Sequence, residues 1–176
     1  MTWIDIDDPI VVVPVGSCEQ HGPHLPLHTD TTIASALAHD LATRRGDCVV
    51  APPITISASG EHAGFAGTLS VGTEVMAGIV IELARSADWA NGVVFVNGHG
   101  GNVRPCQSVW DQFVREFQVN LQFLSYWDVL TEDDARQLMT SGSRLPEDLP
   151  GHAQEFETSI ALAHFAENVR SDVVSD

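Results

Sequence analysis

The chain has 176 residues, 44% of them hydrophobic and 18% charged, which suits one packed domain burying about 70% of its unfolded surface and excludes a disordered chain. Its 24 acidic residues outnumber 8 basic ones, all arginine, for a formal charge of −16, a balance that repels nucleic-acid phosphates and anionic lipid and excludes both as partners. Cys18, Cys48 and Cys106 are too few and scattered for a disulfide framework, the N-terminus lacks a secretory pattern and no apolar run approaches the ~18 residues of a membrane span, so a cytoplasmic protein is expected.

In chain order, Ile10–Val15 is an apolar, mostly β-branched run and predicts a buried strand. The stretch from Gly16 to Asp30 (Gly-Ser-Cys-Glu-Gln-His-Gly-Pro-His-Leu-Pro-Leu-His-Thr-Asp) follows it, held open by proline and glycine and expected as a rigid non-helical loop. It carries Glu19, His21, His24, His28 and Asp30, five potential ligands within twelve residues. Carboxylate oxygen and imidazole nitrogen are the donors that Zn²⁺ and Mn²⁺ prefer, and one carboxylate can bridge two such ions. An ordinary exposed polar loop does not gather so many ligands just past a buried strand.

Residues 31–45 suit a helix with Ile33, Leu37 and Leu41 as its apolar stripe and Gly46 past its end. Asp30 or Thr31 is its expected cap, which makes Asp30 both cap and ligand, and His39 is surface or satisfied core. Cys48–Pro52 is a second strand, with Cys48 a small buried hydrophobe, and residues 53–59 lead into the polar loop Gly60-Glu61-His62. Glu74–Trp89 predicts a helix capped by Thr73, with Val75, Ile79 and Leu83 on its apolar face and Arg85 near its end. Gly92–Val96 reads as a strand buried on both faces, broken by Asn97-Gly98-His99-Gly100-Gly101-Asn102, and a helix is expected over about 103–117. Leu121–Trp127 is a fourth strand. Residues 131–151 hold a short helical piece near 133–139 and a lid-like stretch at 140–151, and a last helix runs from His152 to Ala163. Trp89 and Trp110 are expected in the core.

Strand, loop and helix repeated in this way predict an α/β fold: one domain over 1–176, with a mostly parallel sheet flanked by helices. In such folds ligands bind outside the carboxyl ends of the strands, and the polar clusters at 16–30, 57–62, 97–102 and 126–128 all follow strands. The glycines around His99 lack the Lys-Ser/Thr of a phosphate loop and the full dinucleotide spacing, and suit a metal approached closely by backbone. No glycine-rich turn follows the first strand, which disfavours a nucleotide-binding domain. Cys18 has no His/Asn pairing in sequence of the kind a cysteine hydrolase uses. On a helix, His152 and Glu155 are i,i+3 and share a face, whereas Glu157 lies ~160° from Glu155. Tyr126 and Trp127, at a strand end, are placed to border a substrate.

Four segments carry a family resemblance: Gly16–Asp30, Gly60–Thr68, Asn97–Asn102, and Gly151-His152 through Glu157-Thr158-Ser159. In this order they resemble the creatininase family of metal-dependent amidohydrolases over residues 10–170. The resemblance implies two ions, Zn²⁺ and/or Mn²⁺, with Glu19, Asp30 and His99 as ligands and Asp30 bridging to a second ion held also by His21. It makes His152 the catalytic histidine, Glu157 the glutamate that orients a neighbouring group, and Glu61 and His62 substrate contacts, while His24 and His28 match no ligand position. Creatininase has a glutamate two residues after its ligand histidine, where this chain has Gly101, and Glu155 is the expected replacement. The reaction implied is hydrolysis of a C–N bond by a metal-activated hydroxide, with His152 giving a proton to the leaving nitrogen. The substrate is a cyclic amide such as creatinine or, as the Gly100-Gly101 form of the His99 loop favours, a formamide group or a mycofactocin-type precursor peptide. A homo-oligomer, hexamer favoured, is expected, and the chain is shorter than the family norm at its C-terminus. The rival from another class is a catalytically silent metal-binding or assembly subunit.

Overall fold

The structure is a computed structural model that describes residues 2–109, 120–131, 133–134 and 151–173. The expected helical pieces over 110–117 and 135–139, the lid-like stretch 140–150 and Trp110 lie outside the described residues. Four strands, β1 (Ile10–Val15), β2 (Cys48–Val50), β3 (Gly92–Asn97) and β4 (Leu121–Ser125), form one sheet in the order β2-β1-β3-β4. Every pairing is parallel, with Ile10 opposite Cys48 and Gly92 and Val93 opposite Leu121. From β1 the chain crosses to one edge at β2 and returns to the other side at β3. The carboxyl ends of β1 and β3 therefore border the switch in direction, where open α/β sheets place their ligands.

The core is two-sided, as the unbroken apolar strands require. Val11, Val13, Val15, Val93 and Phe95 face helix α2 (Thr73–Ser86) and meet its Met76, Val80 and Ala84. Val12 and Val96 point the other way, against Ala38 of helix α1 (Thr29–Arg45). A third cluster joins Leu25, Ile33, Tyr126, Phe156, Ala161 and Phe165, and fixes helix α3 (Glu155–His164) beside the ends of β1 and β4. No helix among the described residues is long and apolar enough to cross a membrane.

Several expectations need correction. α1 starts two residues early: His28 is its N-cap, without a side-chain cap bond, and Asp30 lies buried in the first turn. Its end is as read, with Gly46 at φ 80° closing the helix by a bond to the Ala42 carbonyl. Leu37 is exposed, and small Ala34 and Ala38 take the place against the sheet. On α2, likewise, Val75 and Leu83 are exposed while Met76, Val80 and Ala84 are buried, one position round from the face expected. Gly72, not Thr73, caps α2, and the helix stops at Ser86, leaving Trp89 outside it and half-exposed. Cys48 is only half-buried, and all three cysteines are free thiols. β4 ends at Ser125, where a 3-10 turn over Tyr126–Val129 takes over.

Candidate metal centre

β1 delivers Glu19 and His21, the first turn of α1 delivers Asp30, and β3 delivers His99, all buried beneath a cavity of about 410 Å³ at the β1–β3 switch. The strand ends are tied by asparagines. Asn97 Nδ2 donates to the His99 carbonyl and to Ser125 Oγ. Asn102 Nδ2 donates to the Gly16 carbonyl and to Asn97 Oδ1, and its own Oδ1 accepts from the Ala58 N–H. Both stood inside a quoted motif, yet sequence gave them no role, because buried amide networks carry no signature of their own.

Asp30 lies between two imidazoles. Its Oδ1 is 2.8 Å from His21 Nε2, and its Oδ2 is 3.2 Å from His99 Nδ1 and accepts from Ser17 Oγ at 2.7 Å. Burial works to raise the Asp30 carboxyl, but bonds and charge from His21 and His99 outweigh it and hold it well below the usual range. Burial works to lower the two histidines. The Asp30 carboxylate instead lifts His21 to about 9, and Asp30, Glu19 and Glu61 together lift His99 to about 12. The other ring nitrogens are also engaged: His21 Nδ1 with the Glu19 carbonyl and His99 Nε2 with the Ala58 carbonyl at 3.0 Å. Those carbonyls select the tautomers that leave His21 Nε2 and His99 Nδ1 facing the carboxylates, as metal-ligating histidines require.

Glu19 supplies the test of fit to a metal. Both of its carboxylate oxygens are buried and have no hydrogen-bond partner. A buried ionised carboxylate in that state is costly unless a cation meets it. Three imidazole nitrogens surround Oε1: His99 Nδ1 at 3.2 Å, His62 Nε2 at 3.6 Å and His152 Nδ1 at 3.7 Å. Glu19, His21 and Asp30 form one set of ligand atoms close enough to share an ion, Glu19, Glu61 and His99 another, and His21, His152 and Glu157 a third. The residues present fit a divalent cation centre.

Of the other expected site residues, Glu61, His62, Trp127, His152 and Glu157 line the cavity. Tyr126 does not. It is buried beneath, stacked on Phe156 with ring centroids 5.9 Å apart. Glu155 belongs to none of the possible ligand sets among the described residues, and its i,i+3 relation to His152 does not exist, because α3 begins only at Glu155. Residues 152–154 form an irregular turn with Ala153 at φ 53°, and Ala153 N–H binds Glu157 Oε2 at 2.6 Å. That turn swings His152 over the cavity and leaves Glu157, buried in the first turn of α3, on the same side. Burial, then the Asp30 charge, pushes Glu157 up to about 7. His24 binds Thr158 Oγ1 and is structural, and His28 and His39 are exposed.

Gly101 has a steric reason. A Cβ there would collide with the Glu61 carboxylate, the Ala58 carbonyl and the His99 ring. Gly101 thus leaves room for Glu61, whose Oε1 lies 3.3 Å from His99 Nε2.

The family model of creatinine amidohydrolase (creatininase) matches residues 1–176, and the chain belongs to the creatininase family. It is 56% identical over 101 residues to a mycofactocin precursor peptide peptidase of Mycolicibacterium smegmatis, a match covering 54% of this chain and 41% of that protein. It is 30% identical over 199 residues to a creatinine amidohydrolase of Pseudomonas putida, covering 100% of this chain and 74% of that one. A solved structure described as "Creatininase Mn" superposes with a TM-score of 0.79 at 30% identity, over 100% of this chain and 75% of that chain. The aligned segment spans about two fifths of the mycobacterial peptidase.

Proposed function

We propose that the chain is a metal-dependent hydrolase of an amide C–N bond in a small precursor peptide, acting in the cytoplasm as a homo-oligomer, with a hexamer favoured. The observation that carries the chemistry is the buried Glu19 carboxylate, whose oxygens accept no hydrogen bond, beside Asp30, His21 and His99. The peptide reading is supported by the 56% identity to a peptide peptidase, against 30% to the creatinine enzyme. Glu19, Asp30 and His99 would hold one ion, Asp30 and His21 a second, and Glu157 is better placed than Glu155 to complete it. Zn²⁺ and Mn²⁺ both suit this mixed carboxylate–imidazole set. Divalent ions held there supply Lewis acidity to a carbonyl oxygen and lower the pKa of water.

The chain's own groups handle protons and position. His152 is held below its ordinary value by burial and then by the neighbouring His21, so it is neutral at pH 7 and able to accept a proton. Its Nδ1, facing Glu19, is the atom we assign to proton transfer towards the leaving nitrogen. Trp127 and the backbone of Gly98–Gly101 form cavity wall without charge, which suits an uncharged amide. Chelated, zinc-loaded and manganese-loaded protein should be compared on precursor-like peptides, creatinine and formamides. The proposal expects peptide cleavage that chelation abolishes and metal restores. Bound metal without turnover on any substrate would instead favour the silent metal-binding subunit.

A further inference from the structure

Gln20, between Glu19 and His21, touches both histidines above the cavity. Its Oε1 accepts from the Gly22 N–H at 2.9 Å, which orients the amide and directs Nε2 to the other side. There Nε2 lies 3.1 Å from His62 Nδ1 and 2.8 Å from His152 Nε2. The Gln20 backbone carbonyl is also 2.7 Å from His152 Nε2. These last two contacts cannot both be hydrogen bonds, since one needs a proton on the ring nitrogen and the other a lone pair. The carbonyl decides, because it can only accept, whereas the amide has a second acceptor in His62. His152 is therefore protonated at Nε2 and bare at Nδ1. His62 accepts at Nδ1 and, as a neutral ring, carries its hydrogen at Nε2. The two rings stack with centroids 4.3 Å apart at 21°, and both cavity-facing nitrogens approach Glu19 Oε1.

We propose that Gln20 is a positioning residue whose side-chain amide fixes the tautomer of His62 and whose backbone carbonyl fixes that of His152, so that the stacked pair presents an N–H and a lone pair, side by side, to one amide group. His62 Nε2–H donates to the carbonyl oxygen of the scissile amide, and His152 Nδ1 takes the proton that the attacking water gives up and passes it to the amide nitrogen as the C–N bond breaks. Rings of the same tautomer thus perform opposite tasks because one exposes Nε2 and the other Nδ1. This rests on the amide-hydrolase reading for its substrate, while the tautomers themselves do not.

The test is ring-nitrogen NMR of the zinc-loaded protein labelled with ¹⁵N-histidine, with signals assigned by loss in His62→Asn and His152→Asn. Both rings should show a protonated Nε2 and a bare Nδ1. In Gln20→Glu the introduced carboxylate can only accept, so His62 should move its proton to Nδ1 while His152, held by the backbone carbonyl, keeps its tautomer. Loss of the donor should lower kcat by about 100-fold with bound metal unchanged. Gln20→Met removes the bias without adding charge and should leave His62 a mixture of tautomers. A wild-type His62 protonated at Nδ1, or a His62 signal unmoved in both variants, overturns the proposal. Absence of turnover in the wild type with the expected tautomers present would count against the amide-hydrolase reading alone.

Discussion

Asp30 offers one carboxylate oxygen to His21 and the other to His99, the division that a bridge between two cations would need. Without metal, His99, lifted to about 12, and His21, to about 9, both hold protons at neutral pH. An incoming cation must displace them, so metal affinity should rise with pH and binding should release protons. Calorimetry in two buffers of different protonation enthalpy reads this directly, and a buffer-independent heat would contradict it. At Gly101 the steric demand is equally specific. Gly101→Ala sets a methyl group against the Ala58 carbonyl, which cannot retreat as a flexible side chain could. It should cost about 1–3 kcal/mol of stability and weaken metal retention by displacing His99, as thermal melts and metal analysis would show. Glu19, His21, Asp30 and His99 stood out in sequence by type and by position after strands, but so did His24 and His28, and only the family resemblance separated them. Ser17 and Gln20 did not stand out, since a serine or glutamine that orients a neighbour looks like any other polar residue.

At the scale of elements, the strand starts could be read to the residue and their ends to within two, because an unbroken apolar run has one main use in a parallel sheet. The helices lost their faces instead. α2 carries Glu74, Glu82 and Arg85 on one side, so its apolar arc centres on Met76, Val80 and Ala84, and the row from Val75 to Leu83 lies only at the border of that arc. Met76→Ala should therefore cost about 2–5 kcal/mol in chemical denaturation and Val75→Ala well under 1, with equal losses contradicting the orientation. The start of α3 was misplaced because Ala153 in the left-handed region has no sequence cue, and Glu155 was put beside His152 on that account. With the helix starting at Glu155, Glu157→Gln should lower bound metal from two equivalents towards one, while Glu155→Gln leaves it unchanged. The reverse result in metal analysis would restore Glu155.

For the whole molecule, the sheet order β2-β1-β3-β4 gathers four sequence-distant loops at one switch point. Their meeting could be anticipated from their shared position after strands, but not which side chains fill the gaps between them. That depended on backbone approach, as at Gly101. The single most direct measurement is the metal content, by plasma mass spectrometry after exhaustive dialysis, of the wild type and of Asp30→Ala. If one carboxylate in the first turn of α1 joins both halves of the centre, the wild type retains two equivalents per chain and Asp30→Ala retains none. Full retention in Asp30→Ala, with the fold intact by circular dichroism, would contradict a bridged centre at the β1–β3 switch.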